Sequence, residues 1–592
     1  MKKKVWFIKN RRGDFKRLSA MCNISPITAK CILNRDIAED GFKKYINGTR
    51  KDMYSPYLLP NAENAADLIL DCIKKKLKIR IVGDYDMDGI GATYTFVTGI
   101  KKCGGNVDYA LPHRILDGYG LNIEIIKRAI ADGVQVIITC DNGIAAADAI
   151  KFAKQNGLIV IVTDHHEVPY KEDSLGRKRH IVPKADVVVD TKMRVKRPQK
   201  PYPQIGICGA EIAYKIVEIL YEKKRIPKYN LDELLQVVAM STICDVMELK
   251  DENRIVVKEG LRLINSTPIV GIKALIKASN LEGKTISAGQ IGFILGPTCN
   301  ASGRLDTADK AVNLFLEQDE FKALDIANEL RNLNSTRQQL TDVNVEKAIE
   351  IFDNQFQDDT VLVTVLPDCH ESIAGIIAGR IRERYCKPTI IFTQIEDGSV
   401  KGSGRSIEAY NMFEKLTEQK TLFTKFGGHK LAAGMSLATV SDVDKLRVAL
   451  NANSGLTEDD LVEITKVDMI LPFHYATVEL IDELSIMEPF GVANAAPLFG
   501  VKDVHITRAL ELGTKHNAMR YYVTSEGKKS QIYDFGNIDG FIDFLKEKYG
   551  DNVIDDINNG KVEPIVSIAY KVSINEYMGN RTPQYVIENY TD

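Results

Sequence analysis

The chain has 592 residues, and at about 150 residues per domain that predicts roughly four folding units. Lys and Arg total 78 against 80 Asp and Glu, a formal charge of −2, and 44% hydrophobic residues suffice for packed cores, which excludes a largely disordered chain. The ten Cys form no Cys-x-x-Cys pair, the N-terminus lacks a signal peptide's apolar core, and no run approaches the roughly 20 apolar residues of a membrane span; the expectation is a cytoplasmic protein with reduced thiols.

Residues 1–65 read as a mostly helical leading segment, basic at 2–4. From 66 to 319, β-branched runs at 79–82, 107–111, 135–139 and 158–163 alternate with helix-like stretches at 92–102, 123–131 and 145–155. That alternation predicts an α/β domain built on a parallel sheet covered on both faces, with helices at 210–223, 231–243 and 308–316 completing it. Residues 320–353 are highly charged, keep apolar residues at helical spacing and lack Pro and Gly over 320–352, the pattern of a long connecting helix. A smaller α/β domain at 354–455 carries glycine clusters, and 456–592 breaks into short strands separated by turns, as in a small β-barrel.

Chemistry concentrates at the strand ends. Gly83-Asp84-Tyr85-Asp86-Met87-Asp88-Gly89 places three carboxylates at alternate positions after a hydrophobic strand. Like charges on one face repel, so either their pKa values rise or a divalent cation sits among them. Cys140-Asp141-Asn142-Gly143 and Asp164-His165-His166 end the next two strands, and Asp245 follows an apolar helix. In open α/β sheets ligands sit beyond the carboxyl ends of strands, where these groups would converge. A single strand-end Asp is an ordinary turn or cap residue; three acid-rich strand ends, one with two His, are not explained that way.

The same three motifs resemble those of the DHH phosphoesterase superfamily, and within it the chain resembles the RecJ family of single-strand-specific exonucleases. The likeness continues through Pro112-His113-Arg114, Gly118-Tyr119-Gly120-Leu121, Thr242-Ile243-Cys244-Asp245-Val246, Asn300-Ala301-Ser302-Gly303-Arg304, Gly402-Ser403-Gly404-Arg405-Ser406, Phe426-Gly427-Gly428-His429 and Pro489-Phe490-Gly491. The resemblance implies that 66–319 is the DHH catalytic domain, 354–455 the DHH-associated substrate-binding domain and 456–592 an OB-like nucleic-acid-binding barrel.

Carried over residue by residue, the resemblance implies metal ligands at Asp86, Asp88, Asp141, His165 and Asp245, with Asp141 bridging two ions. Asp84 would be a ligand or its neighbour, Asp164 would orient the histidines, and His166 and Arg304 would face the scissile phosphate. Oxygen-rich ligation with one imidazole suits Mn²⁺ or Mg²⁺. Two such ions stabilise both the attacking and leaving oxygens of an in-line displacement, so the reaction class is phosphodiester hydrolysis. Substrate contacts are expected from Asn300, His370, Arg380, Ser403, Gly404, Arg405, Ser406, Gly427, Gly428 and His429, the glycine-rich stretches offering close backbone approach and Arg405 a phosphate fork. Arg508, Lys515, Arg520, Tyr521 and Tyr522 are candidate strand-binding residues of the barrel.

The resemblance implies 5′-to-3′ exonucleolysis of single-stranded DNA in recombination and repair; a monomer working with a helicase and a single-strand-binding protein is expected, with a cleft between two domains admitting one strand. Two alternatives stay open: a DHH phosphodiesterase of short oligonucleotides or cyclic dinucleotides, and a non-catalytic replication scaffold. The chain departs from the family pattern at Asp190-Thr191-Lys192 and the basic insertion 194–200, where relatives show Asn-Pro and a shorter connection, and at Cys244 and Thr298-Cys299.

Overall fold

The computed structural model describes residues 4–173, 176–195, 200–513, 517–536 and 538–591; Lys2, Lys3, Lys515 and residues 196–199 of the basic insertion lie outside them. The chain divides into two compact units, one of Asn47–Val343 with Pro489–Asn494, the other of the remaining residues. Among the described residues no helix is long and apolar enough to cross a membrane.

The first unit is built on a five-stranded parallel sheet of β1 (Lys78–Val82), β2 (Asn106–Ala110), β3 (Val136–Cys140), β4 (Ile159–Asp164) and, after a small antiparallel hairpin of β5 (Tyr170–Glu172) and β6 (Lys178–His180), β7 (Val187–Asp190). The strand order is β2-β1-β3-β4-β7. Successive side chains enter opposite cores. Ile79, Ile81, Ile138, Ile161 and Val189 pack with helices Met87–Lys102, Gly209–Lys223 and Leu231–Cys244, whereas Val82, Ile137, Val160, Val162 and Val188 pack with Ile123–Ala131 and Ala147–Gln155. The chain leaves β1 towards β2 on one side and places β3 on the other, so the crevice of this doubly wound sheet opens at the carboxyl ends of β1 and β3. Helix Gly296–Leu305 and the start of the 36-residue helix Glu320–Gln355 belong to the same unit.

The second unit holds a five-stranded mixed sheet and a barrel. The sheet has the order β11-β12-β10-β9-β8, with β8 (Leu362–Val365), β9 (Thr389–Gln394), β10 (Val400–Arg405), β11 (Phe423–His429) and β12 (Ala432–Leu437). Here the structure differs from the sequence reading. The glycine-rich stretches expected to cradle a phosphate as loops are strands, and both edges of β10 are paired, which commits its backbone N–H groups to the ladder. Glycine is poor in strands, so the pattern read as turns; the structure uses these glycines for close packing, since a Cβ on Gly404 would meet Met412 Sδ at 2.3 Å.

Five strands close the barrel: β13 (Phe499–Leu512), β14 (Ala518–Ser525), β15 (Lys528–Asp534), β16 (Ile565–Tyr577) and β17 (Asn580–Thr591), joined in the ring β13-β14-β15-β17-β16-β13. Closure removes free edges. The leading segment begins with a strand, Lys4–Ile8, that pairs in parallel with Glu463–Val467, before turning helical. Its buried Arg35 is fixed by Asp468, which also accepts from Asn34 Nδ2 (3.2 Å) and Leu498 N (3.1 Å). Tyr521, expected at the strand-binding face, is instead buried against Phe541; its neighbours Arg520 and Tyr522 point the other way, as the two-residue period requires.

Candidate metal centre

Local devices position Asp86, Asp88 and Asp141 in the first unit. Asp86 caps helix Met87–Lys102, its Oδ1 accepting from Asp88 N (3.0 Å) and Gly89 N (3.2 Å). Gly89 is required there, because a Cβ would stand 2.5 Å from the backbone of Asp84. Asp88 reaches the start of helix Gly209–Lys223 and accepts from Gly209 N (2.6 Å) and Ala210 N (2.9 Å), an arrangement the positive end of a helix favours. Asp141 sits at φ 60°, a left-handed conformation that costs a non-glycine residue about 1–2 kcal/mol. Its turn is pinned by Asn142, which donates to Val82 O (3.0 Å) and Cys140 O (2.9 Å) and accepts from Leu121 N (3.1 Å). Val246, next to Asp245, is also left-handed at φ 59°.

These side chains converge. Asp84, Asp86 and Asp141 form one group whose ligand atoms lie within 4.8 Å of one another; Asp88, His165 and Asp245 form a second, and Asp141, His165 and His166 a third, so Asp141 and His165 each belong to two. His165 Nε2 stands 3.0 Å from Asp141 Oδ1 and 3.6 Å from Oδ2 of both Asp88 and Asp245. Three atoms here, Asp84 Oδ1, His165 Nε2 and Asp245 Oδ2, are buried without a hydrogen-bond partner. Buried polar atoms are nearly always satisfied, so three orphans aimed into one acidic pocket fit a divalent cation. Burial and then neighbouring carboxylates push up the pKa of Asp84, Asp86 and Asp141, and of Asp245 to about 8. That is the alternative to a cation which the spacing of the acids predicts.

Asp164 differs from the rest. Its Oδ2 accepts from Ile144 N (2.9 Å), while Oδ1 accepts from His165 N (2.8 Å) and pairs with His166 Nδ1 (2.8 Å), so both oxygens are engaged within the protein. Burial alone would depress the His166 pKa, but the bond to Asp164 and the surrounding carboxylates outweigh it and lift the imidazole to about 9. The Tyr119 hydroxyl donates to Asp141 O (2.9 Å) and lies 3.3 Å from the His166 ring nitrogens, and Arg114 covers the Tyr85 ring at 4.7 Å. Tyr119 and Arg114 carry no assigned role in the sequence motifs; the paired glycines Gly118 and Gly120, which adopt positive φ here, are the sequence feature that marks this loop. Asn300 and Arg304 lie one turn apart on helix Gly296–Leu305, and that helix touches the acidic loop, where a Cβ on Gly303 would meet Tyr85 O at 2.2 Å. Asn300 Oδ1 is a further buried orphan, and burial with nearby Arg114 and Arg337 lowers the Arg304 pKa to about 10.

The remaining candidates are in the second unit. Ser403, Gly434 and Gly427 form one row across β10, β12 and β11, and Arg405, Ala432 and His429 the next row on the same face. Gly375, on helix Ala374–Tyr385, faces this side, a Cβ there meeting Ser403 Oγ at 2.8 Å and an Arg405 guanidinium nitrogen at 2.9 Å. Gly427 and Gly434 have open space above them, which leaves a shallow trough beside Arg405 and His429. His370 caps the turn before the helix, 2.7 Å from Ser372 Oγ. Gly404 and Ser406 do not join the trough: Gly404 belongs to the opposite face, and Ser406 is buried, its hydroxyl donating to Tyr410 O (2.7 Å). Arg380 is exposed further along the helix, and Gly428 is pressed against Ala432 and Ala433.

A parallel sheet with acids at its carboxyl ends, completed by Asp-His-His, defines a DHH-class protein, and residues 78–242 match the DHH family, N-terminal domain. Residues 358–453 match the DHHA1 domain and 467–589 the RecJ OB domain. The chain belongs to the RecJ family. It is 33% identical to the single-stranded-DNA-specific exonuclease RecJ of Bacillus subtilis over 99% of this chain and 70% of that one, and 32% identical to the Escherichia coli protein of the same name over 90% of each. The fold matches RecJ of Thermus thermophilus solved with Mn²⁺ (TM-score 0.80, 24% identity, all of this chain and 80% of that one) and with Mg²⁺ (TM-score 0.75).

Proposed function

We propose that the chain is a metal-dependent exonuclease of single-stranded DNA that hydrolyses phosphodiester bonds, acting 5′ to 3′ in recombination and repair. The observation that carries this reading is the pocket itself: three unsatisfied buried ligand atoms among five aspartates and two histidines, at the crevice of a sheet shared with exonuclease relatives. Asp86, Asp88, Asp141, His165 and Asp245, with Asp84, would hold two ions, Mn²⁺ or Mg²⁺ as in the Thermus relative. Bound there, such ions supply Lewis-acid polarisation of the phosphate and a lowered pKa for water.

The chain's own residues do the rest. Asp164 fixes the His165 backbone and, through the bond to Nδ1, the His166 ring, which would face the scissile phosphate beside Arg304. Arg405, Ser403 and His429, on the face that Gly427 and Gly434 leave open, would hold the strand's backbone or its end phosphate. On the barrel, Arg508 and Arg520 flank the Tyr522 ring at 5.7 and 5.2 Å, a platform on which bases stack without sequence preference. The barrel favours long substrates over dinucleotides, and the complete ligand set disfavours a scaffold. Action as a cytoplasmic monomer beside a helicase and a single-strand-binding protein completes the proposal.

Digestion of a strand labelled at either end, with Mn²⁺ and a matched duplex control, tests it. Release of the 5′ label first, with the duplex intact, is the expected result; label release from the 3′ end first, or from duplex equally, would reject it.

A further inference from the structure

Between the Asp164-His165-His166 strand end and β7 the chain inserts hairpin β5–β6, followed by the basic loop that departs from the family pattern. Residues 167–200 hold ten Lys and Arg against five Asp and Glu, in a chain whose net charge is −2. We infer that this hairpin, with Arg194, is a second backbone-binding surface for the single strand outside the metal centre; the inference rests on the exonuclease reading for its substrate.

Cross-strand register carries the argument. Lys171 and Arg179 are directly opposite in the antiparallel pair, both exposed and on the same face. Like charges so placed destabilise a hairpin unless an anion lies between them. Asp173 neutralises part of this charge, 3.3 Å from Arg179 and 2.9 Å from Arg177, while Lys171 has no acidic partner among the described residues. The opposite face is balanced: Glu172 stands across from Lys178, whose ammonium covers Tyr170 at 4.2 Å. The charge excess is therefore one-sided, on a ribbon held in place by Asp173 N to Arg177 O (3.0 Å), Ile181 N to Pro169 O (2.6 Å) and Arg194 to Lys178 O (3.0 Å).

Position selects the partner. Tyr170 follows His166 by four residues, so the root of the hairpin lies within about 14 Å of the histidine along the chain. A few nucleotides cover that distance, which favours a continuation of the strand in the metal centre over a separate duplex. Two exposed cations on a two-stranded ribbon grip phosphates without reading bases.

The test compares the full chain with the Lys171→Ala/Arg179→Ala variant, measuring affinity for a 30-nucleotide single strand and for a duplex of equal length at several salt concentrations, without added metal. The variant is expected to bind the single strand about tenfold more weakly at low salt, and the slope of log K against log salt should fall by about 1.4, two phosphate contacts' worth. Mn²⁺-dependent hydrolysis of a dinucleotide, too short to reach the hairpin, should stay within twofold of the parent, which also reports that the variant is folded. An unchanged slope and affinity would overturn the inference, as would a loss confined to the duplex. If the parent hydrolyses no single strand, the exonuclease reading fails while the slope comparison still decides the binding surface.

Discussion

At the scale of single residues, Asp141 combines backbone strain, burial and membership of two ligand groups, a combination that only a bound cation repays. Asp141→Ala should lower kcat on a single strand by on the order of 10³-fold, about 4 kcal/mol of transition-state stabilisation, while strand affinity changes less than threefold. Steady-state cleavage and anisotropy titrations measure the two. The pH dependence follows from the same pocket. The carboxyls of Asp84, Asp86, Asp141 and Asp245 titrate above their unfolded values, so the metal-free fold binds more protons than the unfolded chain and loses stability as pH rises from about 4 towards 8. His166, raised to about 9, acts in the same direction: its pairing stabilises fully below its unfolded value and is lost as pH climbs through 9. Melting in EDTA should therefore occur at lower temperature at pH 8.5 than at pH 6, and Mn²⁺ should raise Tm more at pH 8.5. A Tm without metal that rises over this interval would contradict the assignment.

At the scale of elements, the start of helix Gly209–Lys223 sets the position of Asp88. A Cβ on Gly209 would meet Asp141 Cβ at 2.7 Å and Asp88 Oδ2 at 3.1 Å. Gly209→Ala should push these carboxylates apart, weakening Mn²⁺ affinity by about tenfold with a small change in melting temperature, as calorimetric titration would show. In the other unit, the Arg35–Asp468 pair ties the leading segment to the chain that enters the barrel. Removing one partner of a buried pair leaves an uncompensated charge, so Arg35→Ala should cost about 3–5 kcal/mol in urea unfolding of that unit. Neither arrangement was legible in the sequence. Gly209 and Asp88 are 121 positions apart and Arg35 and Asp468 433, and no local period encodes which distant groups meet. The strands of the parallel sheet were legible within a residue or two at most ends, because β-branched runs buried on both faces leave a continuous apolar signature.

At the scale of the whole molecule, the sequence motifs named the residues that gather at the crevice but not the devices that hold them there. The aspartates and histidines announced themselves by repeating at successive strand ends; the glycine-rich strands β10 and β11 did not, since their composition is that of turns and only pairing with β12 makes them strands. The strand Lys4–Ile8 has no local signature for a related reason, its partner Glu463–Val467 lying 459 positions further along the chain. What unites these parts is a pocket of buried acids whose charge a cation must balance. Equilibrium titration of the full chain with Mn²⁺ at pH 8, reading free ion by electron paramagnetic resonance, tests this most directly. Two ions should bind per chain, and Asp141→Ala should lose at least one; no saturable binding, or the same two ions in the variant, would contradict the account.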